Sequence, residues 1–243
     1  MAIPDIDLPH NNLPLTVMLP RLQRLELSDF ENIACLVDVI HMLKMPRLNH
    51  LVLADLRDNS DREPIDFSEF LSSIAGIATS SGFSATLKTL RLANVRFLSS
   101  SGWTRLLHSL PYLQDLHIVH PDTDEADPVE GLLLAAKYFE ALLSRGARST
   151  LGIEVVSNSI ACPVLRELTT YGFDYQTLRM IVEDRRTSGL PLVRITASTH
   201  DGLSLANIET LESLGVKVEE YEDSDYDSDL ESTSDEGTRS DQD

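Results

Sequence analysis

Cysteine is nearly absent from this sequence: 243 residues hold two, Cys35 and Cys162. They stand 127 positions apart, in segments that read as an apolar helix and a strand entry. Buried thiols in a reducing compartment are therefore expected, rather than a disulfide. Basic side chains are scarce as well, 20 Lys and Arg against 39 Asp and Glu, giving a formal net charge of -19. Nucleic-acid affinity is carried largely by Lys and Arg neutralising phosphates, so no nucleic-acid partner is expected. Long apolar runs are missing too. Stretches such as Leu132 to Ala136 fall far short of the roughly 20 residues that span a bilayer. The opening MAIPDIDLPHNNLPL places acids and prolines where an export signal would need a basic start and an apolar run. No membrane association is expected, and the cytoplasm or the nucleus is the expected location.

The signatures of catalysis are equally sparse. There is no G-x-S-x-G elbow, no G-x-x-x-x-G-K phosphate loop and no H-E-x-x-H pair. His117 and His120 are three apart, but one falls within an expected strand and the other precedes Pro121, with no Cys or second His pair nearby to complete a metal set. The chain is expected to be no enzyme, with no catalytic residue, no cofactor and no metal.

What the sequence does have is a repeated phrase. MLPRLQRLEL (18–27), KMPRLNHLVL (44–53), SATLKTLRL (84–92), SLPYLQDLHI (109–118) and ACPVLRELTT (161–170) each contain L-x-x-L. Four of the five continue with an apolar residue two further on, and four carry proline two before the first leucine. The marker leucines Leu22, Leu48, Leu87, Leu113 and Leu165 lie 26, 39, 26 and 52 residues apart. Recurrence at a fixed interval marks a stacked array. The two long intervals contain the polar inserts Asp58 to Pro64 and Pro121 to Pro128, expected as surface loops. LGIEVV at 151–156 is the expected strand of a degenerate repeat.

Between the phrases the apolar period changes from two to that of a helix. Ile33, Leu36, Ile40 and Leu43 form one stripe. Phe67, Phe70, Leu71, Ile74 and Ala78 form the next, behind Asp66 and Glu69 spaced as a capping box. Trp103, Leu106, Leu107 and Leu110 follow, then Leu132, Ala136, Phe139 and Leu143, then Leu178, Ile181, Val182 and Arg185, the last closed by Gly189 and Pro191. Leu205, Ile208, Leu211 and Leu214 lead to a short closing strand from Val216 to Glu219. Short strands joined by helices must run parallel. The expected fold is α/β: a leucine-rich-repeat solenoid at residues 19–219, with a curved parallel sheet on its concave side and helices on the convex side. Residues 1–18 are expected to form a partly disordered lead-in. Residues 220–243 are expected to form a disordered acidic tail, since 12 acids face the single Arg239 from Glu219 onward and little there is apolar.

In an L-x-x-L-x-L strand the leucines point into the core and the residues between them face outward. That phase exposes Arg24, Glu26 and Ser28; His50 and Val52; Thr89 and Arg91; Asp115 and His117; and Glu167, Thr169 and Tyr171. Neither sign of charge dominates, which suits a protein partner. In the tail, Ser224, Ser228, Ser232, Thr233 and Ser240 each have an acid at the third position after them. That spacing is the one read by acidophilic casein-kinase-type enzymes, and phosphate there would strengthen the tail as a ligand for a basic partner.

The segment CPVLRELTTYGFDYQTLRMIVEDRRTSGLPLVRITAS (162–198) resembles the closing repeats of the leucine-rich-repeat F-box-like protein family of basidiomycete fungi. The likeness rests on Cys162-Pro163, the Leu165/Leu168 pair, the helix from Leu178 to Arg186 with its Arg185-Arg186 ending, and Gly189 to Leu192 leading into a strand. It implies the substrate receptor of a cullin-based ubiquitin ligase, in which an F-box docks on an adaptor and the repeats hold the target. The first repeat phrase begins by about residue 19 and no F-box precedes it, so an adaptor is expected as a partner only if an F-box lies upstream. The alternative expectation is a freestanding acidic scaffold or inhibitor of basic nuclear proteins. In either case a monomer is expected.

Overall fold

The computed structural model describes residues 16–28, 33–54, 67–93, 95, 100–119, 161–170, 173–198 and 203–221. Its elements are β1 (Val17–Met18), β2 (Arg24–Ser28), α1 (Ile33–Met42), β3 (Leu43–Lys44), β4 (His50–Ala54), α2 (Ser68–Ser81), β5 (Thr89–Ala93), α3 (Ser100–His108), β6 (Asp115–Val119), β7 (Glu167–Thr170), α4 (Tyr175–Thr187), β8 (Arg194–Ser198), α5 (Leu205–Ser213) and β9 (Lys217–Tyr221). Seven strands form one parallel sheet in strict chain order, β2-β4-β5-β6-β7-β8-β9, and β1 and β3 form a separate two-residue parallel pair. The chain is thus an α/β protein with a seven-stranded parallel sheet.

Each repeated phrase makes the same local structure. The N–H of the marker leucine closes a turn onto the carbonyl three residues back: Leu22 to Leu19 at 3.2 Å, Leu48 to Met45 at 3.1 Å, Leu113 to Leu110 at 3.2 Å and Leu165 to Cys162 at 3.0 Å. Pro20, Pro46, Pro111 and Pro163 occupy the second position of those turns, where a fixed φ near -65° is already correct. The phrase without proline uses another device. Leu87 closes onto Phe83 at 2.8 Å, and the Thr86 hydroxyl donates to Leu48 O at 2.8 Å, tying the turn to the preceding strand.

Two residues after each marker leucine a strand begins, and its alternate residues enter one core. Leu51, Leu53, Leu90, Leu92, Leu116, Ile118, Leu168 and Ile195 are buried there with Phe70, Leu71, Ile74, Trp103, Leu106, Leu107, Leu178, Ile181 and Val182 from the helices. Each such fully buried side chain contributes about 1.5–3 kcal/mol over leaving it in water. Thr170 takes the inward position that a leucine or isoleucine holds in the four preceding strands, and it is fully buried. Asp174 caps α4 by accepting Thr177 N–H at 2.7 Å, and Ser204 caps α5 by accepting Asn207 N–H at 3.2 Å. Gly189 follows α4 at φ 74°, in the left-handed region that favours glycine.

Several expectations are corrected. The strand expected at 151–156 does not separate its neighbours, because β6 and β7 pair directly, Asp115 opposite Glu167; a strand cannot intervene between hydrogen-bonded partners. Residues 151–156 themselves, the stripe from Leu132 to Leu143, and Asp66 lie outside the described residues. The capping box is not seen at α2, whose N-cap position is Phe67, with no side-chain cap. Cys162 is a buried free thiol, and the side chain of Cys35 lies outside the described residues.

Arg185, expected on the apolar stripe of α4, is fully buried. Its guanidinium donates to the carbonyls of Ala161 (3.4 Å), Cys162 (3.0 Å) and Leu165 (3.4 Å). Those groups belong to the turn entering β7, where Cys162 holds a φ of 47° that non-glycine residues seldom adopt. The Cys162 thiol in turn donates to Leu107 O at 3.3 Å, linking this turn to α3. Burial pushes that thiol up to about 12, which removes it from thiolate chemistry near neutral pH.

The helices pack side by side, α2 against both α1 and α3, and the approach of α3 to α2 depends on Gly102. A Cβ there would stand 2.1 Å from Ser68 O, a backbone atom that cannot swing aside. Gly102→Ala is expected to destabilise the fold by about 1–3 kcal/mol, measured as a lowered urea midpoint. An unchanged midpoint would contradict this close approach.

Candidate functional site

The parallel register turns the residues between the leucines into rows running across the sheet. One row is Arg24, His50, Thr89, Asp115, Glu167, Arg194 and Lys217; the next is Glu26, Val52, Arg91, His117, Thr169, Thr196 and Glu219. Of the residues expected from sequence, Arg24, Glu26, His50, Arg91, Asp115, His117, Glu167 and Thr169 all lie on this face. Tyr171, Ser224, Ser228, Ser232, Thr233 and Ser240 lie outside the described residues, as does His120. Val52 and Thr89 were expected to be open but are 3% and 7% exposed. Val52 lies between Glu26 and Arg91 in its row, and Thr89 lies between His50 and Asp115.

Four residues on this face were missed by the sequence reading: Arg194, Thr196, Lys217 and Glu219. Arg194 pairs with Glu167 on β7 and, at 3.5 Å, with Glu219 on β9. Lys217 reaches the same Glu219 at 2.5 Å. The signal was present, since Leu192-Val193-Arg194-Ile195 repeats the spacing of a marker leucine and its strand, with proline directly before the leucine rather than two before it.

Charge is ordered along the rows. Arg24 pairs with Glu26 at 3.2 Å at one end, and the Arg194, Glu167, Glu219 and Lys217 cluster occupies the other. Between them lie His50, Thr89, Asp115, Arg91 and His117. Thr89 donates to Asp115 at 3.2 Å. Asp115 is nevertheless held above the usual carboxylate range, first by burial and then by the charge of Glu167 opposite it, against the pull of Thr89, Arg194 and His50. His117 is driven down to about 4, first by burial and then by the nearby Arg91 and His50. His50 is lowered by burial and by Arg24. At neutral pH both imidazoles are therefore uncharged and able to donate and accept hydrogen bonds at once. No family model matches this chain, and no curated protein matches it significantly.

Chemically this face is a set of polar groups on a parallel sheet. Its carboxylates, guanidiniums and neutral imidazoles are held at fixed strand spacing, partly desolvated, with hydrogen-bonding capacity turned outward. Among the described residues no three His, Cys, Asp or Glu side chains are grouped to hold a metal ion, and no helix is long and apolar enough to cross a membrane.

The depressed His117 has a definite consequence for stability. Between about 4, its folded value, and the ordinary imidazole value of 6.5, the unfolded chain binds the proton that the folded chain refuses. The contribution of His117 to stability is therefore complete above 6.5 and is lost as pH falls through that window. An NMR titration of the His117 ring should show a midpoint near 4, and a midpoint near 6.5 would mean that the ring is not desolvated on this face.

Proposed function

We propose that residues 19–219 form a leucine-rich-repeat solenoid whose open sheet face binds a protein partner, without catalysis. The observation that carries this reading is the unbroken parallel register from β2 to β9. It sets Arg24, Glu26, His50, Arg91, Asp115, His117, Glu167 and Thr169 into two adjoining rows on one face. Repeats of this kind cannot bury their apolar faces alone and present their variable residues together. A mixed-charge surface with partly desolvated polar groups fits the composition of a protein interface better than that of a nucleic-acid groove.

The ligase role is a further step, supported by the resemblance of residues 162–198. In that role the face would hold the target, and an adaptor would be recruited by an F-box supplied upstream. The second reading, a freestanding acidic scaffold or inhibitor, is favoured by the 12 acids from Glu219 onward against a single Arg239, a charge that would attract basic nuclear proteins. Phosphorylation at Ser224, Ser228, Ser232, Thr233 or Ser240 would reinforce that attraction. Both readings place the protein in the cytoplasm or the nucleus.

The test is an affinity purification comparing the wild-type chain with a variant carrying Asp115→Ala, His117→Ala and Glu167→Ala, each checked for a cooperative thermal melt. The folded variant is expected to lose the partners that the wild type retains, and a cullin adaptor that stays with the wild type and the variant alike would select the ligase reading. Retention of every partner by the variant would remove the face from consideration.

A further inference from the structure

The sheet ends at β2, which pairs with β4 on one side and with no other strand among the described residues. The inward side chains of this edge strand are also less buried than those of the next strand in. Leu25 and Leu27 are only half-buried, whereas their register partners Leu51 and Leu53 on β4 are 1% and 0% exposed. On the flanking elements Met18 is 62% exposed and Val39 of α1 is 45% exposed. An exposed strand edge with apolar side chains is a template for pairing with another chain, and a terminal repeat with an apolar outer face leaves burial unfinished.

The backbone decides which groups β2 offers. Gln23 O accepts the amides of Asn49 and His50 at 2.9 and 3.0 Å. The alternation of a strand then turns the N–H and C=O groups of Leu25 and Leu27 toward β4, and those of Arg24, Glu26 and Ser28 toward the open edge. Two copies related by a two-fold axis perpendicular to the sheet could exchange these groups as an antiparallel pair. Registers that set Arg24 against a leucine are excluded, because they would put leucines on the polar face. Of the others, centring on Glu26 opposes two carboxylates, and centring on Arg24 opposes two guanidiniums. Centring on Leu25 sets Arg24 opposite the partner's Glu26 and Glu26 opposite the partner's Arg24, with Leu25 against the partner's Leu25. That register is self-complementary in charge and brings outward-turned main-chain groups into hydrogen-bonded pairs. It also leaves the helices of both copies on the same side of the joined sheet.

We propose that β2 is a homodimerisation edge, joining two copies antiparallel about Leu25 into one continuous sheet. Arg24 and Glu26 also belong to the rows assigned to partner binding, so the dimer is read from the oligomeric state, and substitutions at Asp115, His117 and Glu167 on β6 and β7 leave that state measurable. The expected single-chain state is replaced in this proposal by an isologous dimer.

Light scattering of the full chain across a concentration series tests the idea, together with Glu26→Arg and the charge exchange Arg24→Glu with Glu26→Arg. The wild type is expected to be a dimer, and Glu26→Arg, which opposes like charges at both pairs, to be a monomer with an unchanged circular dichroism spectrum. The charge exchange should restore the dimer. A wild type that stays monomeric throughout, a dimer that survives Glu26→Arg, or a charge exchange that stays monomeric would each overturn the proposal. Hydrogen exchange on the wild type gives a reading free of substitutions. The amides of Arg24, Glu26 and Ser28 should be protected in concentrated solution and lose that protection on dilution, and equal exchange at both concentrations would also overturn it.

Discussion

A single carbonyl in each repeat carries the register of the whole sheet. In five successive strands the residue after the marker leucine, Gln23, Asn49, Lys88, Gln114 or Arg166, offers its carbonyl to two consecutive amides of the next strand, at distances between 2.7 and 3.2 Å. Val193 O continues the series to Lys217 N–H at 2.9 Å. Each shared carbonyl adds only about 0.5–1.5 kcal/mol per hydrogen bond net, so it does not hold the protein together by strength. Its importance is geometric. With this atom in place, a slip by one residue would move every leucine from the core to water, and the burial of those leucines makes the slip prohibitive.

The electrostatics of the open face follow from the same constraint. Asp115 lies beside Glu167, and His117 near Arg91, because the register puts them there. The raised carboxyl and the depressed imidazole are consequences of that crowding and of partial burial. Arg194 offsets the acidic end by bridging Glu167 and Glu219 across three strands. These exposed pairs add little to stability, but they fix side-chain positions on a surface whose backbone is already rigid. The buried Arg185 plays the complementary role inside, where it gathers the carbonyls of the turn at Cys162, at the end of the 52-residue interval whose flanking strands pair directly.

Much of this was legible from the sequence, for physical reasons. The marker leucines located β2, β4, β5, β6 and β7 because inward apolar residues every second position, after a turn, have few other structures open to them. Arg24, Glu26, His50, Arg91, Asp115, His117, Glu167 and Thr169 followed from strand alternation alone. What escaped depends on neighbours distant in sequence. The burial of Val52 and Thr89 depends on which residues flank them across the sheet, and the direct pairing of β6 with β7 joins positions 52 residues apart. The tight seat of Gly102 against Ser68 needs the spacing of two helices. Arg185 looked like the polar end of an apolar stripe because its partners are backbone carbonyls, which no sequence displays.

The central claim is that one shared-carbonyl ladder orders the sheet and, through it, the binding face. Native-state hydrogen exchange measures this most directly. The amides of His50, Thr89, Asp115, Glu167 and Arg194 should exchange slowly, with the pair at Asp115 and Glu167 as protected as those nearer the start of the sheet. Exchange of Glu167 at the rate of an unstructured backbone, with His50 and Thr89 still protected, would contradict the account, because the two rows would then not be continuous across β6 and β7.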